Sequence, residues 1–298
     1  MSTLLRVAYD GSDFHGFARQ QPGPAGSIRT VQGQLELALA DLYKQPVLTR
    51  GASRTDAGVH AQGQLVAFEG PLAIPAVGVA RALNGRLSAD VAVLAAWEQV
   101  GADGRPVDVR RGNRGKHYRY RIRCTESRDP QTARYQWHLR RRLDPHAMQH
   151  AARAFVGTHD FGSFRASQCQ ARTSERTIDA VTLRWGAGSP GPRADPGRLD
   201  PIVVDGGAGS GPDWIDVHVH GRAFLYNMVR IMVGTLVEVG LGRRSSDAIV
   251  SLLARPDRTR AGPTAPACGL TLVEVIWPYA EASVEASARG TRAPSDGP

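Results

Sequence analysis

Cysteine is scarce in this sequence, and long apolar runs are absent. The 298 residues include three cysteines, Cys124, Cys169 and Cys268, which are far apart and odd in number. They therefore predict neither a disulfide framework nor a pair of closely spaced metal ligands. No stretch approaches the ~20 apolar residues of a membrane span, and the first residues lack the apolar core of a signal peptide. These absences predict a soluble cytoplasmic protein that does not bind a membrane.

Negative charge is also in short supply. The chain has 37 Lys and Arg residues against 28 Asp and Glu, a formal net charge of +9. Residues 105–142 hold twelve Arg and one Lys against three acidic residues, a net of +10, so the remainder is close to neutral at −1. One segment therefore supplies the basic character. A basic surface attracts phosphates at long range, which favours a polyanionic partner.

A Gly-rich turn within residues 50–68 is the first candidate for a reactive site. Apolar residues on either side, at 47–48 and 65–68, predict two short strands. The polar residues of the turn are Arg54, Thr55, Asp56 and His60. Glycines at 51 and 58 allow a tight turn and the close approach of a ligand. On such a loop Asp56 can act as a nucleophile or an acid–base group; alternatively, it only bonds its own backbone in an Asx turn.

Residues 54–61, RTDAGVHA, resemble the central motif of the TruA family of tRNA pseudouridine synthases, in which the Asp is the catalytic residue. Residues 9–20 resemble the first motif of the family, with Phe17 and Gln20 at its aromatic and Gln positions. Further matches are at residues 80–84, 157–161, 228–230 and 266–270. The resemblance spans Leu4 to Pro278 and is interrupted chiefly by residues 186–212.

The resemblance implies an α+β fold, in which a mixed, largely antiparallel sheet is flanked by helices and shared by two halves with a cleft between them. It implies isomerisation of uridines 38, 39 and 40 in the tRNA anticodon arm by a homodimer whose subunits both touch the RNA. This reaction breaks the N1–C1′ bond and joins C5 to C1′. Nothing is oxidised and no group is imported, so neither a cofactor nor a metal is expected.

The resemblance also implies roles for single residues. Asp56 matches the nucleophile, Arg230 matches an arginine that pairs with it, and Tyr118 matches an active-site tyrosine. Leu270 matches an apolar residue that lines the site. The target nucleotide must leave the RNA stack, and Arg54 can fill the vacated space or hold the phosphate. Substrate contacts are also assigned to two further residues of the same loop, Thr55 and His60.

The segment 224–239 gives an independent reason to pair Asp56 with an arginine. It is apolar nearly all round, which predicts a buried helix that ends at Gly240. Arg230 lies in its middle, and an unpaired buried Arg is costly, so it requires a carboxylate. Asp56 is the candidate. In the alternative, Arg230 reaches the surface or pairs with Glu238, which lies eight residues on and beyond the spacing that places helix side chains together.

Residues 117–123 predict a strand with two different faces. Alternation places Tyr118, Tyr120 and Ile122 on one face. The other face carries Arg119, Arg121 and Arg123, which would form a row of phosphate contacts next to Lys116, extended by residues 140–142. A solvated strand face is the alternative. Tyr118 can stack on an exposed base, and whether it also takes the C5 proton is open, because a phenol of pKa ~10 suits neutral pH poorly.

Two residues depart from the usual family pattern. Ser53 stands where the family usually has Gly, and it would strain the loop if that position needed a positive φ. Lys116 stands where Arg is usual, which would weaken a bidentate phosphate contact. Both departures leave the three candidate catalytic residues in place, so we expect an active enzyme.

The chain is expected to divide into two halves near residues 101–106, where Gly and Pro suggest a linker. Residues 1–104 form the N-terminal half with the Asp56 loop, and residues 105–279 form the C-terminal half with the basic strand and the Arg230 helix. Residues 186–212, rich in Gly, Pro and Asp, predict a flexible insertion. Residues 280–298 predict a disordered tail.

Two rival functions remain open. One is a catalytically silent RNA-binding protein, for example a tRNA chaperone, on the same basic face. The other is a metal-dependent RNA hydrolase built from Asp56, His60, His159 and Asp160. A further pair, His218 and His220, has ligand-like spacing on one strand face. It lacks a third ligand nearby in sequence, so we expect solvated histidines there.

Overall fold

The computed structural model describes residues 1–20, 28–70, 74–101, 104–189 and 211–278. Most of the predicted insertion at 186–212 and all of the predicted tail at 280–298 lie outside the described residues. Ten strands are described: β1 Ser2–Tyr9, β2 Thr49–Gly51, β3 His60–Phe68, β4 Val91–Gln99, β5 Gly115–Arg123, β6 Trp137–His138, β7 Gly157–Asp160, β8 Glu175–Gly186, β9 Trp214–Gly221 and β10 Leu270–Ile276. Five α-helices are described: α1 Val31–Tyr43, α2 Ala76–Asn84, α3 Pro145–Ala152, α4 Met228–Gly240 and α5 Asp247–Ala254.

The strands form one mixed sheet in the order β4-β1-β3-β10-β5-β9-β8-β7, with β2 paired to β3 and β6 paired to β5. Neighbouring strands are antiparallel except for two parallel pairs, β10 with β3 and β6 with β5. The predicted α+β class, with a largely antiparallel sheet and flanking helices, is confirmed. Strand β10 lies between β3 and β5, so strands from the two sequence halves share one sheet.

Local sequence signals account for several of these elements. The Thr30 hydroxyl accepts a hydrogen bond from the Gly33 amide (3.2 Å) at the start of α1. The Asp144 carboxylate accepts from the amides of His146 and Ala147 at the start of α3. Each side chain satisfies amides that the first helical turn leaves unpaired, which stabilises the start of its helix.

Two predicted boundaries are wrong. The first short strand is β2 at Thr49–Gly51 rather than residues 47–48. Helix α4 begins at Met228 rather than at residue 224, because Asn227 has φ +60° and a left-handed residue cannot continue a right-handed helix. Arg230 therefore lies in the first turn of α4 rather than in its middle, close to the loop that leads into the helix.

The helices bury their apolar sides against the sheet: α2 packs on β4, α3 on β8 and α4 on β5. Next to α3, the rings of Phe155, Phe161 and Phe164 are fully buried, with centroids 5.0–6.2 Å apart. Within the described ranges, no helix has the length and apolarity needed to cross a bilayer.

Candidate active site

The loop between β2 and β3 is shaped by glycines on both sides of it. Gly58 has φ +78°, and a β-carbon there would lie 3.2 Å from the β-carbon of Ala267. Gly16 has φ +97°, and a β-carbon there would lie 2.8 Å from the Thr55 carbonyl oxygen. This close approach lets the Phe17 amide donate to the same carbonyl (3.0 Å). The loop is thus fixed to the segment that follows β1.

Thr55 contributes to the same anchoring. Its side-chain oxygen lies 2.7 Å from the hydroxyl of Tyr9, and both residues are buried. Burial raises the pKa of Tyr9 above its ordinary value, while the hydrogen bond to Thr55 acts in the opposite direction. Thr55 was assigned a substrate contact, whereas the structure places its hydroxyl against the core of the N-terminal half.

Asp56 and Arg230 are in contact, although 174 residues separate them. Arg230 Nη1 lies 3.3 Å from Asp56 Oδ2 and also donates to Asn227 Oδ1 (2.8 Å), while Arg230 Nε donates to the Ala265 carbonyl (2.7 Å). Burial raises the pKa of Asp56, and the charge and hydrogen bond of Arg230 lower it. The alternative partner, Glu238, is bound by Arg244 instead (2.7 Å). The Asn227 side chain and the Ala265 carbonyl thus hold the arginine guanidinium so that it is directed at one carboxylate oxygen of Asp56.

Tyr118 lies beside this pair, on the face of β5 that meets the loop. Its hydroxyl is 2.9 Å from Ser53 Oγ, and its ring meets the edge of Phe224 with centroids 5.0 Å apart. Burial raises the pKa of Tyr118 to about 12, with a smaller contribution from the negative charge of Asp56. Tyr118 is therefore a neutral phenol close to the carboxylate of Asp56. It can pack on a base and hydrogen-bond, but it is a weak base at neutral pH.

Ser53 does not strain the loop, because its φ is not positive. Its amide donates to Gln64 Oε1 (3.2 Å), and Gln64 Nε2 donates to the Ser53 carbonyl (2.7 Å). Gln64 thus fixes the residue that holds the Tyr118 hydroxyl. Neither Gln64 nor the Ser53–Tyr118 contact was anticipated from the sequence. The polar residue at 53 was a signal that could have found that contact, since a buried hydroxyl requires a partner.

The family model described as tRNA pseudouridine synthase matches residues 6–101 and 151–278. A protein of Pelobacter propionicus named tRNA pseudouridine synthase A is 41% identical over 273 residues, covering 92% of this chain and 98% of that protein. Proteins of the same name from Geobacter sulfurreducens and Halalkalibacterium halodurans are each 40% identical, covering 91% and 89% of this chain and 97% and 89% of their own lengths. The chain belongs to the tRNA pseudouridine synthase family. It is an enzyme of the isomerase class.

The remaining site residues of the enzyme differ in their exposure. Arg54 is exposed beside Asp56, where it is free to meet RNA. Leu270 is buried at the start of β10, opposite Tyr120 of β5. His60 is also buried. Its Nε2 donates to the carbonyls of Arg134 (2.9 Å) and Cys268 (3.2 Å).

His60 connects three loops through hydrogen bonds. Besides its two carbonyl contacts, its Nδ1 accepts from the Gly11 amide (3.1 Å). Burial lowers the pKa of His60, and the charge of Asp10 raises it. Nδ1 also lies 3.2 Å from Asp10 Oδ1, so every nitrogen of the ring is in contact with a neighbouring loop. These contacts give His60 a structural role in holding the loops together. The predicted substrate contact of His60 is not seen in the structure.

Two of the three arginines expected to form a row of phosphate contacts on β5 are buried. Arg119 is 4% exposed and Arg121 is 9% exposed. Arg121 Nε and Nη2 donate to the two oxygens of Asp216, each over 2.7 Å. Arg123, at the end of β5, is partly exposed. Alternation also places all three on the sheet face away from Tyr118, so they do not border the Asp56 cleft.

Lys116 and the strand histidines are also more buried than expected. Lys116 is 8% exposed, its Nζ donates to the Arg222 carbonyl (3.4 Å), and burial lowers its pKa. His218 and His220 were expected to be solvated, but they are 5% and 9% exposed. His218 Nδ1 lies 2.9 Å from His117 Nε2, and the ring of His220 stacks on His117. Strand alternation showed which side chains share a face but not what covers that face.

The structure does not assemble the four residues of the rival metal hydrolase. His159 Nε2 bonds the Val156 carbonyl (2.9 Å), and Asp160 Oδ1 accepts from the Gly162 amide (2.8 Å). Both are local turn contacts, while His60 is engaged in the loop contacts described above. Among the described residues, no group of three or more His, Cys, Asp or Glu side chains is arranged to hold a metal ion.

Proposed function

We propose that this enzyme converts uridines 38, 39 and 40 of the tRNA anticodon arm to pseudouridine, with Asp56 as the nucleophile. The observation that carries the proposal is the environment of Asp56. Its carboxylate lies on a fixed loop at a cleft, with one oxygen toward Arg230 and the Tyr118 phenol nearby. Membership of the tRNA pseudouridine synthase family supports the substrate class.

The chemistry asks for a carboxylate that is ionised but only partly neutralised. Asp56 holds the intermediate covalently while the N1–C1′ bond breaks and the base turns. C5 then bonds to C1′, the carboxylate leaves, the C5 proton is lost and N1 gains a proton. Arg230 keeps Asp56 charged where burial favours the neutral acid. The contact of 3.3 Å is loose enough to leave the carboxylate available for bonding to carbon.

Access to the uridine requires the nucleotide to leave the helical stack, at a cost of a few kcal/mol. Exposed Arg54, two residues before Asp56, is placed to fill the space left behind or to bind the displaced phosphate. The ring of Tyr118 and the side chain of Leu270 provide the apolar contacts for the base. Arg123 and the arginines at 140–142 extend the basic surface beyond the cleft.

Three further elements of the proposal rest on the family resemblance. The enzyme works as a homodimer in which both subunits contact the tRNA. It acts in the cytoplasm, where its tRNA substrate is found. Residues 1–104 and 105–279 form two halves, and the Asp56–Arg230 contact links them across the cleft.

The decisive experiment compares wild type with Asp56→Ala and Asp56→Asn on unmodified tRNA, without added metal. Tritium release from C5-labelled uridine is followed together with chemical mapping of pseudouridine. We expect wild type to release tritium and to modify positions 38–40. Both variants should lose on the order of 10⁴-fold in rate or more, while tRNA affinity stays within a few-fold. Asp160→Ala serves as the matched carboxylate control and should retain full activity.

Each other outcome removes part of the proposal. Tritium release by Asp56→Ala would show that the nucleophile is a different group. Tight tRNA binding by wild type with no release would leave a silent RNA-binding protein. Product at other tRNA positions would refute the assignment to 38–40 while leaving Asp56 as the nucleophile. Chelator-sensitive strand scission would point to a hydrolase.

A further inference from the structure

Unsatisfied polar atoms gather on the sheet face that points away from Asp56. Across the described residues, eight buried side-chain nitrogen or oxygen atoms lack a hydrogen-bond partner, and five of them lie on this face. They are His117 Nδ1, Arg119 Nε, Arg119 Nη1, Arg184 Nε and His218 Nε2. Buried polar atoms are normally paired, so such a concentration indicates a partner that binds there.

Arg119 is the most demanding member of the group. Its side chain keeps its proton under all ordinary conditions, and it is 4% exposed. Asp216, on the same face, engages Arg121 through both of its oxygens. Arg119 therefore has a buried positive charge with two donor atoms unused. The negative charge of Asp216 attracts Arg119 but leaves these two donors without a hydrogen bond, and an anion bound to them would stabilise the buried charge further.

A cavity of about 460 Å³ lies next to Arg119. Its sheet side is formed by Arg119, Arg123, Gln62 and Thr271, and its outer wall by the loop at 129–136. The volume falls in the range of small-molecule sites. Its two carboxylates are already engaged: Asp10 binds Ser12 and Tyr135, and Asp129 binds Thr132. Of the arginines that line the cavity, Arg121 is bound by Asp216 and Arg123 donates to the Gly188 carbonyl, whereas Arg119 has two buried donors without a partner.

The outer wall adds a surface for a flat ring. Tyr135 is 42% exposed, and its ring centroid is 5.1 Å from that of His60. Aromatic side chains stack on nucleobases, and guanidiniums bind phosphates through paired hydrogen bonds. Gln62 and Gln131 offer amide groups to the edge of a base. We propose that this cavity binds a nucleotide, with the phosphate at Arg119 and the base against Tyr135.

The proposed site is separate from the Asp56 cleft, because Arg119 and Tyr118 are consecutive strand residues and point to opposite faces. The nucleotide can be a free molecule or one residue of the tRNA chain. Both have the same phosphate, sugar and base, so the binding chemistry is shared. The site does not depend on pseudouridine formation, and its test measures ligand binding rather than turnover.

The first experiment measures melting temperature with uridine 5′-monophosphate and with inorganic phosphate, in the Asp56→Ala background to reduce the contribution of the catalytic cleft. At about 100 times the dissociation constant, we expect the melting temperature to rise by about 5 °C. Adding Arg119→Met should abolish this response. It should also raise the melting temperature without ligand, because an apolar side chain of similar volume replaces an uncompensated charge.

Arg184→Met is the matched control. Arg184 shares the sheet face and also has an unpaired Nε, but it does not line the cavity. This variant should keep the full nucleotide response. Tyr135→Leu should weaken binding of the nucleotide about tenfold, within the range of one lost stacking contact, and should leave the phosphate response unchanged.

Competition distinguishes the two sources of the nucleotide. If the site takes a residue of tRNA, saturating uridine 5′-monophosphate should weaken tRNA binding in the Asp56→Ala protein, and Arg119→Met should remove that competition. If it takes a free nucleotide, tRNA affinity should be independent of the ligand. A melting temperature unmoved by either probe, or moved equally with Arg119→Met, would overturn the proposal. A melting temperature that depends on protein concentration, with the dependence removed by Arg119→Met alone, would indicate that Arg119 contacts a second copy of the chain. That result would also overturn the proposal.

Discussion

Two aspartate–arginine pairs in this molecule differ in how completely the carboxylate is used. Arg121 binds Asp216 through two hydrogen bonds of 2.7 Å, and both side chains are nearly buried at 11% and 6% exposure. Arg230 reaches Asp56 through one contact of 3.3 Å, with side chains 16% and 18% exposed. The first pair is saturated and joins the neighbouring strands β5 and β9, whereas the second is underbonded and joins a loop to the first turn of α4.

The difference supports the proposed assignment of Asp56, rather than Asp216, as the nucleophile. A bidentate pair satisfies both oxygens and stabilises the charge strongly, which lowers reactivity toward carbon. Asp56 keeps an oxygen without an arginine partner, and its pKa is raised by burial despite Arg230. Part of the stability that a closer pair would give is thus absent at the site, as is common where groups must react.

The largest expected effect on stability is at the saturated pair. Asp216→Ala should lower the free energy of unfolding by about 3–5 kcal/mol, because it leaves Arg121 charged and buried. Asp56→Ala should lower it less, since that contact is longer and the Asn227 and Ala265 contacts still hold the guanidinium of Arg230. Urea unfolding of both variants gives the comparison. Equal losses of unfolding free energy would show that the two pairs stabilise the fold to the same extent.

Arg230→Met should have an intermediate effect, on activity rather than on folding. Without the guanidinium, burial raises the pKa of Asp56 unopposed, so the carboxylate ionises only at higher pH. The acidic limb of the single-turnover rate should move to higher pH. The rate at neutral pH should fall on the order of 10²-fold, with partial recovery in alkali.

Arg230→Lys provides the control, since it keeps the charge but loses the contact of Nε with the Ala265 carbonyl. Its acidic limb should shift less than that of Arg230→Met. An unmoved limb in both variants, together with a lower rate at every pH, would mean that Arg230 positions the substrate and does not hold the charge of Asp56.

The smallest effect is expected at Ser53. Ser53→Ala leaves the buried Tyr118 hydroxyl without its partner, which should cost about 1–3 kcal/mol of unfolding free energy. In Tyr118→Phe the same serine substitution should cost less, because the hydroxyl is already gone. A double-mutant cycle in urea measures the coupling, and purely additive losses would show that the hydrogen bond contributes nothing.

The fold was predicted best where the signal is local. The alternation of β5 depends on neighbouring residues only, and this strand forms as predicted. The start of α4 was missed because the left-handed backbone of Asn227 is a choice that the apolar pattern does not show. The burial of Arg119 and His218 was missed because it depends on segments distant in sequence.

The candidate site divides in the same way. The pairing of Arg230 with Asp56 was predicted from the sequence, because a buried arginine requires a carboxylate and an unpaired buried charge is costly. The supports of the site are different. Gln64 fixes Ser53 through two hydrogen bonds, and Asn227 and the Ala265 carbonyl each bind Arg230 through one. Such contacts follow from the packed structure alone.

The position of β10 has a consequence for how the enzyme is made. In the described sheet, β3 and β5 meet only through this strand, which is the last to leave the ribosome. The N-terminal half carries Asp56 and can be synthesised long before Leu270 emerges. Pairing over such a sequence distance is slow to form, and the open edges of β3 and β5 remain exposed until it does. A nascent chain should therefore acquire its reactive centre in one late step, and a transcript truncated before residue 270 should yield an inactive, aggregation-prone product.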